Sequence, residues 1–467
     1  MNIFQDLANS NVKSYIYSNG SEYSYDQLVQ DADVFSRFII NRSLVFIVAN
    51  NSYDCLTGYV GLLRANTVVA LINDSIHKSM FSDLLERFKP RFIYQPLNEF
   101  SFKKNWKQRL GIGKYVLYET NIEIDYEIND DLSILLMTSG STGSPEFVRL
   151  SHSNIYSNTK AICQYLNIDD TDKAITTLPL SYSYGISIVN THLFMGASLV
   201  LTDLSIVEKG FWDLVSNSEA TTFSGVPYTY DILKKLNFIN IDLPSLKYIT
   251  QAGGKLNLGL LEYYHRVCTH KKIDFIVMYG QTEASPRMSY LPSKMMKNKL
   301  GSIGVPIPGG KFYLIDDNKQ IINETDVEGE LVYEGENVCL GYARNCYDLA
   351  GGDSNKGRLK TGDMAKVDSD GFYYITGRKK RFLKLFGNRI SLDQVEQKIN
   401  EAGYDCACVG VDDQMLIYTN KGSDKKNIIN FIELYFDINK SGFSVIHINE
   451  IPRNHSGKVL YSELDIN

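Results

Sequence analysis

The stretch Ile134–His152, ILLMTSGSTGSPEFVRLSH, sets five hydroxyl side chains and two glycines directly after a short apolar run. Gly140 and Gly143 let the backbone turn its amides inward, while Thr138, Ser139, Ser141 and Thr142 add hydroxyl donors. Such a set suits a phosphate, although Gly/Ser/Thr clusters between periodic segments also serve as plain loops. It is not a P-loop of the usual kind, because no Gly-Lys-Ser/Thr closes it at the required spacing. What flanks it therefore decides the reading.

Downstream, SNIYSNTKAICQYL places Ile155, Ile162 and Leu166 on one helical face, with Ser153 available as N-cap. Upstream, SLVFIVAN and TVVALIN read as buried strands and YDCLTGYVGLLRA as a helix between them. This alternation predicts layered α/β structure with largely parallel sheet. The loop would then lie where a strand ends and a helix follows, where ligands of α/β folds commonly bind. From about Gly301 the texture changes to short strands punctuated by Gly and Pro, which predicts a β-barrel-like subdomain. Past GRKKRFLKLFG the last residues mix strands such as GFSVIHI with helices such as LDQVEQKINEAG and read as a small α+β domain. The division is placed at residues 1–377 and 378–467.

The 467 residues, 44% of them hydrophobic, allow a large core and more than one domain. A net charge of -6 without long runs of one sign gives no reason to expect nucleic acid or an anionic membrane. No apolar stretch approaches the roughly 20 residues of a membrane helix and no leader pattern opens the chain, so a cytoplasmic location without membrane insertion is expected. Seven scattered cysteines, with only Cys406 and Cys408 close together, read as buried thiols rather than a zinc site.

Six segments recur in a telling order: TSGSTGSP, YGQTE, GELVYEGENVCLGY, KTGD, GRKKRFLKLFG and PRNHSGK. Together they resemble the signature motifs of the adenylate-forming superfamily, which includes acyl- and aryl-CoA synthetases, adenylation domains of peptide synthetases and firefly luciferase. The resemblance covers about Tyr23 to Leu460. It implies a large α/β domain with a mobile C-terminal lid, and a two-step ligase that uses ATP and Mg²⁺. A carboxylic acid would become an acyl-adenylate with release of pyrophosphate, then pass to a pantetheine thiol of CoA or of an acyl carrier protein.

By that resemblance, Ser139, Gly140, Ser141, Thr142 and Gly143, with Thr138 beside them, would cradle the leaving phosphates. Tyr279, after which Gly280 turns the chain, would stack on adenine, with Gly253 and Gly254 of TQAGGKLN lining the base. Thr282 would touch the α-phosphate and Glu283 would hold Mg²⁺ through a hard oxygen. Asp363 would accept from the ribose hydroxyls, and Arg378 would contact the same sugar. Lys458 falls on the family's C-terminal catalytic lysine. Lys380 matches the hinge about which the lid turns, and Lys384 and Gly387 would then face the thiol tunnel.

The chain also departs from the pattern. Most members carry Lys-Pro-Lys-Gly after the glycine loop, where this chain has Ser144, Pro145, Glu146 and Phe147. Two like charges 4 Å apart repel by about 4 kcal/mol at an effective dielectric near 20. Three readings are open: Glu146 turns away while Arg149 or another cation serves the phosphates, Glu146 is an introduced substitution, or nucleotide binding is poor. TLPLSYSYGISIVNTHLFMGA matches the border of the acyl pocket, with Tyr182 at a customary histidine. No Asp or Glu lies between Leu178 and Phe194, so the ammonium of an α-amino acid would be unpaired and a small or medium acyl or aryl acid is favoured. Tyr182, Ser183, Tyr184, Ser187, Val226, Tyr228, Gln251 and Met278 are the expected liners. The rival functions are an amino-acid-activating adenylation domain and, from another class, a degenerate nucleotide- or acyl-binding protein without turnover.

Overall fold

The computed structural model describes residues 3–5, 7, 14–97, 106–139, 145–379, 381–385, 388–436, 438–454 and 457–464. Gly140, Ser141, Thr142, Gly143, Lys380 and Gly387 lie outside the described residues, as does the side chain of Ser139.

The opening stretch forms an antiparallel pair, Leu132–Ser139 with Pro145–Ser151, whose last register partners are Ser139 and Pro145. Leu132–Ser139 then runs parallel to Val68–Asn73, which is parallel to Leu44–Ala49. All six residues of Leu44–Ala49 are buried, as a central parallel strand with helices on its faces requires. Helix His152–Leu166 follows at once. Its cap is Ser151, not Ser153: the Ser151 hydroxyl accepts from the Asn154 amide and the Asn154 side chain accepts from the Ser151 amide. A cap of this kind stabilises a helix by about 1 kcal/mol. Ile155, Ile162 and Leu166 are buried on one face, as the periodicity predicts.

Two large sheets organise the N-terminal unit, one of eight strands around Leu132–Ser139 and one of nine that includes Tyr248–Gln251 and Asp274–Gly280. Helices Tyr53–Arg64, His152–Leu166 and Ser183–Met195 share a single apolar core with strands of both. The β-rich region past Gly301 is an open five-stranded sheet rather than a closed barrel, with Ile321–Ile322 and Tyr373–Arg378 at its edges. After Arg378 the chain enters a smaller unit with a two-stranded sheet, Phe382–Leu385 with Asn388–Ser391, and a three-stranded one, Cys406–Val411, Gln414–Thr419 and Phe443–His447. Its two apolar clusters draw on no residue before Leu383. All seven cysteines are buried and unpaired, as expected. Among the described residues, no helix is long and apolar enough to cross a membrane.

Two histidines, His192 buried and His152 half-buried, tie stability to pH. Burial lowers the pKa of His152 and of His192 to about 4. Unfolded, both titrate near 6.5, so the unfolded chain binds more protons between those values. Stability present above pH 6.5 is therefore lost as the pH falls toward 4, by up to about 3 kcal/mol for each histidine. Urea midpoints should fall between pH 7 and 4.5, and less steeply in a His152→Gln/His192→Gln double variant. Equal slopes for the two proteins would contradict this.

Candidate active site

Strand Asp274–Gly280 leaves the nine-stranded sheet with Met278 and Tyr279 at its end, and its register with Arg287–Leu291 shifts between Tyr279 and Gly280. That irregularity turns the following residues, Thr282–Ala284, into a single helical turn above the sheet. From the five-stranded sheet, Asp363 on Arg358–Val367 sits opposite Arg378. The two sheets share an apolar cluster that includes Met288, Phe312 and Tyr333, and beside it polar groups from both gather on one carboxylate. The Tyr279 hydroxyl donates to Asp363 Oδ2 at 2.5 Å, Gln281 Nε2 donates to the same oxygen at 3.1 Å, and Arg378 Nε lies 3.5 Å from Oδ1. Burial raises the Asp363 pKa, while Tyr279, Arg378 and Gln281 oppose the shift.

Glu283 stands beside this cluster, and one of its oxygens accepts from the Tyr342 hydroxyl at 2.8 Å. The Thr282 and Ser183 hydroxyls are 3.0 Å apart, which ties the turn to the start of helix Ser183–Met195. Gly253, at φ +83°, lies so close to the Tyr182 hydroxyl and Val226 that a Cβ there would crowd both. Gly254 packs against Pro227, and Gln251 directs its amide to the Gly254 carbonyl at 2.8 Å. Tyr184 bonds Thr250 through its hydroxyl at 2.7 Å. The expected liners Tyr182, Ser183, Tyr184, Val226, Gln251 and Met278 thus gather between the strand ends of the nine-stranded sheet and the helix start, while Tyr228 is mostly exposed.

Lys458 belongs to the C-terminal unit, beyond the strands that carry Tyr279 and Asp363. Gly457 approaches the Tyr228 side chain so closely that a Cβ would lie 2.9 Å from it. The Lys458 side chain is open to solvent at the rim, yet crowding by protein desolvates its ammonium. Its pKa is lowered by that desolvation and by Arg378, against the pull of Asp363 and Glu283. Lys384 is not joined to these residues by any hydrogen bond or ion pair among those described; its side chain is exposed and its amide donates to Asp412.

Glu146 has an answer. Its carboxylate, 8% exposed as a residue, is paired with Arg344 Nε at 2.9 Å, and its strand position is opposite Thr138. Arg149 does not serve phosphates: it is buried, and its guanidinium donates to the carbonyls of Leu340, Tyr342, Gly351 and Gly352. It holds the segment around Gly341 against Pro145–Ser151. Sequence reasoning missed Gln281, Tyr342 and Arg344 as partners of acidic groups. The first two lie within quoted motifs, whereas Arg344 has no local signal.

A family model described as AMP-binding enzyme matches residues 5–343. The chain belongs to the AMP-binding enzyme family. Among curated AMP-binding relatives, the oxalate–CoA ligase of Saccharomyces cerevisiae is 27% identical over 390 residues, covering 80% of this chain and 70% of its own. The 2-succinylbenzoate–CoA ligase of Bacillus cereus is 25% identical over 373 residues, 74% of this chain and 72% of its own. The o-succinylbenzoate coenzyme A synthetase of Bacillus subtilis in complex with AMP superposes with a TM-score of 0.81 at 20% identity, over 100% of this chain and 98% of that one. The fold is that of the adenylate-forming superfamily.

In this AMP-binding enzyme the Glu146–Arg344 pair is structural. Glu146→Lys would set an ammonium beside Arg344, and Arg344→Ala would leave a buried carboxylate without its cation. Because the Arg344 side chain is 70% exposed, each should cost only about 0.5–1 kcal/mol in urea denaturation. Unchanged stability in both variants would refute the pairing.

Proposed function

We propose that this protein is an ATP- and Mg²⁺-dependent acid:thiol ligase that forms an acyl-adenylate and then a thioester on CoA or on a carrier-protein pantetheine. The observation that carries the reading is the gathering of Tyr279, Gln281 and Arg378 on the carboxylate of Asp363, with Lys458 of the C-terminal unit in electrostatic reach of Asp363 and Glu283. Activating a carboxylate with ATP demands charge neutralisation and alignment more than covalent help from the protein. Each gathered group suits a part of that task. Asp363 Oδ2 is taken by Tyr279 and Gln281, which leaves Oδ1 facing Arg378 to accept from a ribose hydroxyl. Gly253 and Gly254 bring backbone close to where a base would lie against Tyr279.

Glu283 fits a hard cation. One oxygen accepts from Tyr342, and the other has no protein hydrogen bond among the described residues. Bound there, Mg²⁺ would take its remaining ligands from phosphate and water and offset polyphosphate charge. Lys458 would place its ammonium between the acid's carboxylate and the α-phosphate. Thr282, held by Ser183, would donate to the α-phosphate, and residues 138–143 would receive the departing pyrophosphate. The acid would lie among Tyr182, Ser183, Tyr184, Val226, Gln251 and Met278. Several relatives are named CoA ligases, which favours CoA as acceptor, while gramicidin S synthase 2 of Brevibacillus brevis, 26% identical over 443 residues, keeps a carrier-protein thiol in view. The pairing of Glu146 with Arg344 weakens the case for a degenerate binder, because the carboxylate that would repel phosphate is compensated.

Pyrophosphate release with hydroxylamine trapping, over fatty, hydroxy, aryl and amino acids, tests the reading. At least one non-amino acid should support turnover, and Lys458→Ala should lower its rate about 100-fold or more while ATP binding persists. No turnover with any acid, despite ATP binding, would sink it.

The proposed division into residues 1–377 and 378–467 puts the hinge at Lys380, between the last strand of the five-stranded sheet and Phe382–Leu385. After rotation about it, Lys384 and Gly387 would face the thiol. Lys380→Pro should then spare adenylation and slow thioester formation; equal loss of both half-reactions, or of neither, would count against that hinge.

A further inference from the structure

We infer that the acid activated here carries a second anionic group at its far end, a carboxylate, and that Arg287 receives it. The inference rests on the proposed ligase reading. Arg287 begins strand Arg287–Leu291 and is 3% exposed. Its guanidinium meets only neutral groups: Ser187 Oγ at 3.1 Å, Tyr165 OH at 3.3 Å, Met278 Sδ at 3.4 Å and the face of Tyr184 at 4.9 Å. Its Nε has no hydrogen-bond partner. Among the described residues, no carboxylate lies within 4 Å of it.

Arg149, equally buried, and the part-buried Arg381 are treated differently. Arg149 donates to four backbone carbonyls, and Arg381 is paired with Asp393 and Glu396. A buried guanidinium left with a thioether, a phenol and a serine is a costly arrangement, because its charge has been taken from water without an anion in return. A fork of N–H donors with no acceptor of its own selects a planar anion such as a carboxylate.

Its location says which molecule would bring that anion. Met278 immediately precedes Tyr279, and Ser187 and Tyr184 lie on the helix whose first residue, Ser183, bonds Thr282. Arg287 therefore stands on the acyl side of the nucleotide groups, among the side chains that would surround the acid. Behind it lies a void of about 10 Å³, the size of one water, bordered by His192 and Tyr248. His192 Nδ1 is 2.9 Å from the Ile188 carbonyl, which makes it the protonated nitrogen and leaves Nε2 an acceptor; Nε2 and the Tyr248 hydroxyl both lack partners. One water there would connect both to a carboxylate held by Arg287. The same charge repels the ammonium of an amino acid, in line with the missing acidic residue between Leu178 and Phe194.

The test compares succinate, glutarate and adipate with butanoate, pentanoate and hexanoate in the pyrophosphate assay, using the full chain, Arg287→Met and Arg287→Lys. The unaltered protein should favour the best dicarboxylate over its chain-matched monocarboxylate by about 100-fold in kcat/KM. Arg287→Met should abolish that preference while keeping or improving the monocarboxylate, and Arg287→Lys should retain part of it. Preference for monocarboxylates, or equal loss for both classes in Arg287→Met, would overturn the inference and leave the ligase reading intact. Calorimetric binding of the same acids in the presence of AMP gives a readout without turnover. If no acid yields pyrophosphate, the ligase reading fails. Dicarboxylate binding lost in Arg287→Met would still support the role of Arg287, and its absence in the unaltered protein would refute it. Should Arg287→Met fail to fold, the preference of the unaltered protein and its change in Arg287→Lys decide.

Discussion

The carboxylate of Asp363 is the constraint on which the site depends. It is buried, burial alone would raise its pKa, and it stays useful as an acceptor only if donors hold it. Those donors come from another sheet: Tyr279 and Gln281 at the end of a nine-stranded sheet reach an aspartate on a five-stranded one. This phenol–carboxylate bond joins the two sheets beside the apolar cluster of Met288, Phe312, Leu331 and Tyr333 that they share. Removing the hydroxyl would cost more than one hydrogen bond, because the carboxylate would remain desolvated.

A second constraint runs along the turn after Gly280. Thr282 is tied to Ser183, Glu283 to Tyr342, and the Glu283 carbonyl accepts from Cys339 at 2.8 Å. Tyr342 belongs to the short strand Gly341–Ala343, which pairs with Pro145–Ser151 and is anchored by the guanidinium of Arg149. The strand carrying Glu146 and the turn carrying Glu283 are thus linked through one tyrosine. Arg149 holds that link in place by donating to the carbonyls of Leu340 and Tyr342.

Much of this was legible in the sequence, for a physical reason. Runs such as Leu44–Ala49 are buried on both faces, so composition alone reveals them, and the amphipathic face of His152–Leu166 follows from its 3.6-residue period. The motifs carried Tyr279, Glu283, Asp363 and Lys458 to one place because their order reproduces a shared architecture. What stayed hidden were pairings set by tertiary geometry. Glu146 meets Arg344 across 198 positions, and Arg149 meets the carbonyls of residues 340–352, which no local pattern encodes. The cap at Ser151 rather than Ser153 was missed because both residues satisfy the same preference, and only the reciprocal bond with Asn154 chooses between them. Arg287 looked like an ordinary charge in a strand, since burial of a cation leaves no mark on its neighbours in sequence.

The last link concerns how Lys458 is held. The C-terminal unit has its own apolar clusters, and its described contacts with the rest of the chain include Lys255 Nζ with Gln397 at 2.8 Å and the close packing of Gly457 on Tyr228. Interfaces of this kind separate more readily than a shared core does. Lys458 makes no ion pair among the described residues; its pKa is lowered by desolvation and by Arg378 and raised by Asp363 and Glu283, a balance of opposing charges. Polyphosphate charge would tip that balance toward retention, and its departure as pyrophosphate would remove the reason to stay. Under the proposed two-step reading, a site built this way would couple the position of the C-terminal unit to the progress of the first half-reaction.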